Sequence, residues 1–389
     1  MTRPETSHRC RVLHIITGLY TGGAENMLRK LVIGMDPRFD NLVISLRDPG
    51  PMVPLLKKAG VAVECLDMPA GRPTLPGLRK LDRLAKQFQP TVVQGWMYHG
   101  NLAASAVQKR LAQRVPVAWN VRQTLALSSE KPASRVVVNL NKRLSRAPAA
   151  IIYNSAVSAS QHESYGFCSK ERRIIPNGVD TELYKPDAAA RMRIRKELSI
   201  SDQAPVVGVI ARLHPIKDHP TFVQVAAKIR EAVPDCRFLV AGAGTDDSKE
   251  LEQLVTDAGF CSRSFLRLGE RSDIPGIMAS LDVLMVTSCA VEGFPNVVIE
   301  AMASGTRCVV TDIGDSRAVV GDTGTVAAPK DVQALAKGAI DFIRSDPLAR
   351  ERGAKQARQR VIDCYTIGAV TDQYEALYDH LVATENREP

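Results

Sequence analysis

The stretch RVLHIITGLYTGGAENMLRKLVIGM, residues 11–35, joins a short run of β-branched residues to a glycine-containing loop and then to an amphipathic segment. Residues 11–17 have the composition of a strand, and residues 23–35 space their apolar side chains as a helix does. Because polar residues do not alternate through the apolar run, we expect the strand to be covered on both faces. This pattern predicts a parallel sheet wrapped by helices.

The same alternation of strand-like and helix-like segments continues along the chain in two cycles. The first cycle has further strand-like runs at residues 41–47, 61–68, 91–96, 115–123 and 149–155. The second cycle has strand-like runs at residues 205–213, 237–242, 264–269, 282–288, 307–314 and 323–328. The sequence therefore predicts an α/β protein with two Rossmann-like domains.

The length of 389 residues also favours two domains, since a domain typically has about 150 residues. A polar, helical stretch at residues 187–205 is predicted to connect the two domains, which would then comprise residues 1–188 and 189–365. Ligands of such sheets bind beyond the C-terminal ends of the strands. We therefore expect the site in a cleft between the two domains.

Charge is divided unevenly between the two halves of the chain. Residues 1–186 carry 27 Lys and Arg against 13 Asp and Glu, a net charge of +14, and the remainder carries 24 against 29, a net charge of −5. The first half is therefore expected to favour anionic surroundings. The eight cysteines form no Cys-x-x-Cys pair, which predicts reduced thiols and no metal site. The first ten residues resemble neither a secretory signal nor a membrane span, and we expect a cytoplasmic protein.

The stretch EGFPNVVIEAMASG, residues 292–305, carries two glutamates, Glu292 and Glu300. Pro295 suits the first turn of a helix that we predict from about Asn296 to Ala303. The free amides at that helix start would form an anion site. Carboxylates beside a phosphate would be repelled, so we expect the two glutamates to accept hydrogen bonds from the hydroxyl groups of a sugar nucleotide. The alternative is that Glu300 complements the helix dipole and that Glu292 is a solvated loop residue.

Two cations follow the first strand of the second cycle. Arg212 lies just beyond the predicted strand, and Lys217 lies at the start of the next helix. Cations in those two positions can neutralise a diphosphate without a metal. The alternative is a pair of solvated surface charges.

Two glycine-containing loops and one histidine follow other strands. Gly22 and Gly23 precede a helix, where backbone amides can approach a ligand closely. Their spacing is not that of a dinucleotide-binding fingerprint, and the Gly-x-Gly that begins at Gly242 is more often a tight turn. His99 follows a strand beside Trp96 and Tyr98, so it is expected to line the site.

At this point the sequence resembles a known family, the retaining glycosyltransferases of family 4, which have the GT-B fold. The resemblance spans about residues 11–385. It rests on five ordered motifs, GLYTGGAE, IPNGVDTELYKP, ARLHPIK, LGERSDIP and EGFPNVVIEAMASG. The family implies two Rossmann-like domains facing each other across a nucleotide-sugar cleft, and a C-terminal helix, residues 366–385, that packs back on the first domain.

The resemblance also implies roles for individual residues. Glu292 and Glu300 match the Glu-x7-Glu signature, in which Glu300 would bind the ribose hydroxyls and Glu292 the hydroxyls of the donor sugar. Arg212 and Lys217 would neutralise the diphosphate, and His99 would contact the transferred sugar.

The remaining implied contacts are with the donor and acceptor. The backbone from Gly293 to Asn296 would hold sugar hydroxyls, Gly22 and Gly23 would lie under donor and acceptor, and the base would sit near Gly242. The full set of implied substrate-binding residues is Gly22, Gly23, Gly242, Gly269, Arg271, Gly293, Phe294, Pro295, Asn296, Val297 and Glu300. In one departure from the family, Ala318 stands where many members carry a glutamate of a Gly-Gly-x-x-Glu segment.

These expectations lead to a function. The chain is predicted to transfer a sugar from a UDP- or GDP-linked donor to a glycan or lipid-linked oligosaccharide, as in the biosynthesis of a bacterial exopolysaccharide, capsule or lipopolysaccharide. No cofactor and no metal are expected to be needed, and no nucleic acid is expected as a partner. The basic stretches LRKLDRLAK, QKRLAQR and RVVVNLNKRLSR are spaced like helices that lie on anionic lipid at the inner membrane face; the alternative is solvated helix faces.

Two other functions stay open from the sequence. A sugar-nucleotide epimerase of the same fold would bind the same nucleotide but need no acceptor. A non-catalytic protein that binds nucleotide sugars or nucleic acid is the second alternative. Nucleic acid is disfavoured because aromatic residues, which provide stacking platforms, make up only 5% of the chain.

Overall fold

A computed structural model describes residues 9–125, 132–290 and 292–385. These residues form two units, each with its own core. The first unit comprises the chain up to Gly178 and again from Ile367 onward, and the second comprises Val179–Thr366. The division falls at Gly178, ten residues before the predicted boundary at 188, because residues 179–186, the VDTELYKP part of the IPNGVDTELYKP motif, belong with the second unit.

The first unit is built on a parallel sheet, whose order within the described residues is β3-β2-β1-β4-β5-β6-β7. The strands are β1 (Cys10–Ile16), β2 (Phe39–Ser45), β3 (Ala62–Cys65), β4 (Val92–Trp96), β5 (Val117–Val121), β6 (Ala150–Tyr153) and β7 (Arg172–Ile174). The helices that follow them are α1 (Gly23–Gly34), α2 (Met52–Lys58), α3 (Leu75–Phe88), α4 (Met97–Gln108), α5 (Pro132–Leu144) and α6 (Ala156–Tyr165).

The strands of this sheet are buried on both faces, as the unbroken apolar runs predicted. In β1, Val12 and Ile16 belong to the core under α1 and α2, whereas Leu13 and Ile15 belong to the core under α3 to α6. All four side chains are almost completely inaccessible to solvent. This alternation follows from the two-residue period of a strand.

The second unit has the same plan, with a parallel sheet in the order β10-β9-β8-β11-β12-β13. The strands are β8 (Val206–Ile210), β9 (Arg237–Ala241), β10 (Phe265–Arg267), β11 (Val283–Val286), β12 (Arg307–Thr311) and β13 (Thr325–Ala327). The helices are α7 (Ala188–Glu197), α8 (His219–Ala232), α9 (Lys249–Asp257), α10 (Ile274–Ser280), α11 (Asn296–Ala303), α12 (Ser316–Val320), α13 (Val332–Arg344) and α14 (Pro347–Cys364).

The final helix, α15 (Ile367–Glu385), returns to the first unit as the family resemblance implied. Two buried tyrosines fix it there. The Tyr378 hydroxyl donates to Gln94 Oε1 at 2.5 Å, and the Tyr374 hydroxyl accepts from Asn120 Nδ2 at 2.8 Å. The helix therefore forms part of the core of the first unit.

Each sheet contains a point where the strand order reverses. In the first unit, chain crossovers leave in opposite directions from the adjacent strands β1 and β4, and in the second unit from β8 and β11. A crevice forms outside the carboxyl ends of the strands at such a switch point, which is where ligands of these sheets bind. The fold alone thus identifies the loops after β1 and β4, and those after β8 and β11, as candidate binding positions.

One predicted helix is absent. The stretch QKRLAQR begins with the last residue of α4, and the rest of it forms turns and bends. The helix ends there because the chain must reach Val117 and enter β5 within a few residues. The prediction of a lipid-facing helix at this stretch was therefore wrong.

Candidate functional site

The loops after β8 and β11 bring together an oppositely charged pair of predicted site residues. Lys217 ends a short 3₁₀ helix, Pro215–Lys217, that follows β8, and Glu292 lies in the loop after β11. Although 75 positions separate them in the chain, Lys217 Nζ donates to Glu292 Oε1. Their side chains are 28% and 19% exposed, so the ion pair is only partly open to water.

Three buried hydroxyl groups form hydrogen bonds that support this ion pair. Ser288 Oγ donates to Glu292 Oε1 at 2.9 Å, and Thr287 Oγ1 donates to the backbone carbonyl of Lys217 at 2.8 Å. Thr311, at the end of β12, donates to the Ser288 carbonyl at 2.7 Å. Because all three residues are at most 1% exposed, these hydroxyl groups fix the orientation of the ion pair.

Sequence reasoning missed these hydroxyl-bearing residues. Thr287 and Ser288 follow β11 directly, in the sequence VTS. A pair of small polar residues after a buried strand was the signal by which the sequence could have identified them as site residues. Such residues at strand ends are also common in ordinary turns. Their contacts depend on the alignment of neighbouring strand ends, which the residue pattern does not specify.

Arg212 lies two residues beyond β8, as predicted, and its side chain is exposed. Within the part of the chain that the structure describes, its guanidinium has no hydrogen-bond or ion-pair partner. Gly242, directly after β9, packs against its backbone: a Cβ on Gly242 would lie 2.3 Å from the Ala211 carbonyl oxygen and 2.6 Å from the Arg212 nitrogen. The position of Arg212 therefore depends on a glycine in the neighbouring loop.

The helix predicted from about Asn296 to Ala303 is observed with those bounds, and Pro295 stands at its N-cap. No side chain of the N-cap residue caps the start of this helix, and the Val298 amide donates to the Pro295 carbonyl at 3.1 Å. Glu300 is half-buried within the helix. Burial, and to a smaller extent the negative charge of Glu300, raise the pKa of the nearby Tyr184 phenol. Tyr184 is thus a neighbour of Glu300 that the sequence analysis did not identify.

Three of the predicted substrate-binding residues bury their side chains, fully or in part. Phe294 is 8% exposed and packs against Tyr365 with ring centroids 5.6 Å apart. Pro295 is also buried, and Val297 packs against the same core. At Phe294 and Pro295 only the backbone can contact a ligand, which is the contact that the family resemblance implied. Gly293 and Asn296 are half-buried and exposed, respectively.

The loop after β12 supports the Glu292 loop. Gly314 has φ +62°, and a Cβ there would lie 2.4 Å from the Gly293 carbonyl oxygen. That oxygen accepts a hydrogen bond from the Asp315 amide at 3.1 Å. Ala318, at the departure from the family pattern, is exposed on α12. The backbone of this loop thus fixes the backbone of the Glu292 loop.

The predicted base-binding residues surround the end of β9. The Gly242 amide donates to the Gly269 carbonyl at 2.7 Å, which joins the loops after β9 and β10. The Arg271 guanidinium donates to Asp273 at 2.8 and 2.9 Å and to Glu197 at 2.9 Å. These acids raise the pKa of Arg271. They also fix its side chain, so the glycine backbones are the better placed groups for contact with a base.

In the first unit, the predicted residues lie at the β1/β4 switch point. Gly22 is the N-cap of α1, and a Cβ there would lie 2.3 Å from Glu25 Oε2. The Glu25 carboxyl therefore lies over the start of the helix, and burial raises its pKa. Gly23 is exposed, with open space where its Cβ would be. A carboxylate in this position suits a hydroxyl-bearing ligand better than a phosphate.

His99 lies in the first turn of α4, since the helix begins directly after β4 rather than after a loop. Its side chain is half-buried, and burial lowers its pKa from the ordinary histidine value. Among the described residues the imidazole has no hydrogen-bond partner. Burial therefore favours the neutral imidazole, which is available to a ligand at the β1/β4 switch point.

A cavity of about 520 Å³ in the second unit lies at the amino-terminal ends of strands β11 and β12, whereas the predicted site residues follow the carboxyl ends of strands. Asp282 and Arg307, which begin or precede strands β11 and β12, help to line it, whereas none of the predicted site residues does. Across the described ranges, no group of three or more His, Cys, Asp or Glu side chains is arranged to hold a metal ion. The chemistry suggested by the site residues is neutralisation of an anion beside groups that bind hydroxyls.

Comparison with known proteins gives two family matches. The family described as Glycosyltransferase Family 4 matches residues 21–183, and that described as Glycosyl transferases group 1 matches residues 204–345. A Bacillus subtilis protein named as a glycosyltransferase, EpsF, is 26% identical over 79% of this chain and 80% of its own length.

Two further similarities bear on ligands. The Escherichia coli UDP-Gal:alpha-D-GlcNAc-diphosphoundecaprenol alpha-1,3-galactosyltransferase is 27% identical over 54% of this chain and 54% of its own length, so that alignment spans about half of each protein. The crystal structure of HepE from Anabaena in complex with UDP has a TM-score of 0.80 and 25% identity, covering 95% of this chain and 100% of HepE. HepE was also solved with UDP-glucose, with a TM-score of 0.76 and 25% identity over 95% of this chain and 99% of HepE.

Proposed function

The chain belongs to the group 1, family 4 glycosyltransferases of the GT-B fold, and we propose that it transfers a sugar from a nucleoside diphosphate donor to an acceptor hydroxyl with retention of anomeric configuration. The observation that carries this proposal is the charged group at the β8/β11 switch point. There Lys217, Arg212 and the amino-terminal end of α11 supply positive potential beside two carboxylates. This combination suits a diphosphate flanked by a ribose and a sugar, because cations bind the phosphates and carboxylates accept from hydroxyls.

We propose a uridine nucleotide as the donor carrier. The complexes of HepE with UDP and UDP-glucose support this choice, since HepE matches the chain over nearly its whole length. In this assignment Glu300 accepts hydrogen bonds from the ribose, and Glu292 accepts from the sugar. The loops at Gly242 and Gly269 border the base.

The donor assignment is tested by thermal-shift titration of the purified protein with UDP, GDP and ADP. A nucleotide that binds the native state raises its stability by RT ln(1 + [L]/Kd), so we expect the largest shift with UDP. A screen of UDP-sugars with saccharide acceptors, read by NMR of the anomeric proton, then tests transfer and retention. Epimerised donor without any acceptor would favour an epimerase, and an inverted product would contradict retention.

We propose that the acceptor hydroxyl attacks the sugar from the face that the diphosphate leaves. The bond from the anomeric carbon to the phosphate oxygen breaks, and its electron pair stays on that oxygen. The new bond forms between the anomeric carbon and the acceptor oxygen, whose proton passes to the leaving phosphate. Arg212, Lys217 and the α11 amides stabilise the charge that develops on the diphosphate.

Glu292 does not act as a covalent nucleophile in this mechanism. A nucleophilic carboxylate of a retaining glycosidase lies about 5 to 5.5 Å from its acid partner across the scissile bond. Glu292 instead forms an ion pair with Lys217 and accepts a hydrogen bond from Ser288, which lowers its nucleophilicity. Intact-protein mass spectrometry of the unaltered chain after incubation with donor alone is therefore expected to reveal no added sugar, and a sugar attached to Glu292 would contradict this mechanism.

We further propose that the reaction needs no divalent cation. Two side-chain cations and the helix amides take the place that a metal has in other diphosphate-binding enzymes. The expected result is that 5 mM EDTA, followed by desalting into metal-free buffer, leaves at least about half of the initial rate. Restoration of a lost rate by Mg²⁺ or Mn²⁺ would contradict this part of the proposal.

The proposed acceptor is a glycan or a lipid-linked saccharide of a bacterial polysaccharide pathway. The name of the Escherichia coli relative specifies a saccharide linked to diphosphoundecaprenol, which supports an acceptor held at a membrane. The loop at Gly22 and Gly23, overlain by the Glu25 carboxyl, and the unpartnered imidazole of His99 would meet the acceptor or the transferred sugar.

We propose that α3 and α5 form the surface that meets an anionic membrane. Both helices pack on the same side of the first sheet through Leu81 and Val138. On the outer side of α5, Val136 is 67% exposed and Leu140 is 44% exposed one turn later. The outer side of α3 carries Arg79, Arg83 and Lys86. Exposed apolar residues on one helix and cations on another helix of the same side of a sheet suit a surface that meets anionic lipid.

Within the described residues, no helix is both long enough and apolar enough to span a bilayer. We expect Val136→Ser together with Leu140→Ser to weaken binding to vesicles containing 30% phosphatidylglycerol by at least about tenfold, because each CH₂ buried in lipid contributes about 0.8 kcal/mol and the loss of about two of them gives that factor. Co-sedimentation measures this effect. Leu348→Ser is the matched control, since Leu348 is 70% exposed on α14 of the second unit. Equal binding of all variants, or no preference for anionic vesicles, would remove this surface from the proposal.

A further inference from the structure

The Lys217–Glu292 ion pair joins two residues that, in the proposed function, bind different parts of the donor. Lys217 would meet the diphosphate, and Glu292 would meet the sugar. In this structure each of them is satisfied by the other. Among the described residues, Glu292 is the partner that Lys217 Nζ has, and an ammonium drawn toward a phosphate gives up at least part of that ion pair.

The two partners differ in how freely they can move. Glu292 is also held by Ser288, which is 1% exposed and is itself anchored by Thr311. Among the described residues, the other contacts of Lys217 are those of its backbone with Thr287 and His214, and its charge is carried on a flexible four-carbon chain. When a diphosphate enters, the ammonium therefore moves and the carboxylate remains.

The remaining carboxylate is costly if nothing replaces the ammonium. The Glu292 side chain is only 19% exposed, and separation from a partner leaves an incompletely solvated charge. Donor sugar hydroxyls can compensate for this loss by donating to Glu292. A nucleoside diphosphate without a sugar brings no such hydroxyls to that position.

We infer that the Lys217–Glu292 ion pair makes the site discriminate between the intact donor and its nucleoside diphosphate product. The donor exchanges the ion pair for a phosphate contact and sugar hydrogen bonds. The product breaks the ion pair and leaves Glu292 uncompensated, so it binds more weakly and is released. This inference rests on the proposed function, because it takes the diphosphate and sugar positions from it.

The test is a set of binding measurements by isothermal titration calorimetry with UDP and with UDP-glucose, without acceptor. Glu292→Gln keeps the shape of the side chain but removes the charge that competes for Lys217. We expect this variant to bind UDP about tenfold more tightly than the unaltered chain. Its affinity for UDP-glucose should stay the same or fall, which reverses the preference for the donor.

Removal of any nearby negative charge would also favour an anion, so the coupling to Lys217 must be measured directly. In a Lys217→Ala background, Glu292→Gln should change the affinity for UDP less than twofold, since no competing ion pair is left to break. Asp312→Asn is the matched control for a general charge effect. Asp312 also follows a strand of the second sheet but pairs with Arg317, and its substitution should leave the affinity for UDP within twofold.

The outcomes separate the inference from the function on which it rests. If Lys217→Ala weakens UDP binding but Glu292→Gln does not tighten it, the inference is overturned and the proposed site stands. If Glu292→Gln tightens UDP binding equally with and without Lys217, simple repulsion explains the effect and the inference is again overturned. If Lys217→Ala leaves UDP binding unchanged, the diphosphate position itself is wrong. Melting temperatures of all variants establish that each is folded.

Discussion

Lys217→Ala is expected to lower kcat about 100- to 1000-fold, the effect typical of losing one preorganised group that stabilises developing negative charge. In the proposed mechanism, the diphosphate gains charge as its bond to the sugar breaks, so the ammonium contributes more in the transition state than in the ground state. The loss of this contact acts on kcat more than on KM.

The measurement is steady-state kinetics with UDP-sugar and acceptor, with Lys228→Ala as the matched control. Lys228 is a lysine of α8 in the same unit, and it pairs with Glu231 at 3.2 Å on the exposed side of that helix. We expect its substitution to leave kcat within twofold, as for most exposed ion pairs. A Lys217→Ala variant with unchanged kcat would assign the neutralisation of the diphosphate to other groups.

The fold could be predicted from the sequence because its pattern is local. Short apolar runs such as Val92–Trp96 are buried on both sides, and each is followed by a helix with one apolar face. Those two features define a parallel sheet with helices on both faces. The helix at Asn296–Ala303 could also be predicted, since Pro295 ends the loop and the apolar run that follows it ends in the helix-favouring sequence Glu-Ala-Met-Ala.

The features of the site that the sequence did not predict depend on contacts between segments that are far apart in the chain. Glu292 and Lys217 were both identified, but their ion pair, and Ser288 beneath it, follow from the adjacency of β8 and β11. Arg271 was expected near the base, yet Glu197, 74 positions earlier, binds its guanidinium. Which strand ends and loops become neighbours is a property of the whole sheet, and a single residue pattern does not contain it.

The residues of one sequence motif differ in burial, and therefore in what their side chains can do. Phe294 stands between Gly293 and Pro295 in the signature, but its ring packs on Tyr365 in the core. A loop that must hold its backbone toward a ligand needs such an anchor, because loop backbone otherwise has few contacts that fix it. The motif therefore combines residues that face the ligand with residues that fix the loop, and only the structure distinguishes them.

Gly242→Ala is expected to lower kcat/KM about 100-fold, the loss that follows when a group that contacts the substrate is displaced by about 1 Å. Gly242 has φ +151°, and a Cβ there would lie 2.3 to 2.6 Å from backbone atoms of Ala211 and Arg212. Since neither segment can retreat without breaking the hydrogen bonds at the end of β8, Arg212 must move. The same strain should lower the free energy of unfolding by about 2 to 4 kcal/mol.

Gly244→Ala is the matched substitution, two residues later in the same loop. Gly244 also has positive φ, +82°, but the nearest atom to its Cβ would be Leu213 Cβ at an ordinary contact distance of 3.4 Å. We expect a cost of about 1 to 2 kcal/mol in stability and less than a threefold change in kcat/KM. Urea unfolding and initial rates, measured at a temperature where both variants are fully folded, separate the two effects. Equal activity of the folded variants would mean that Gly242 serves only the turn, and that Arg212 does not depend on it for its place beside the diphosphate.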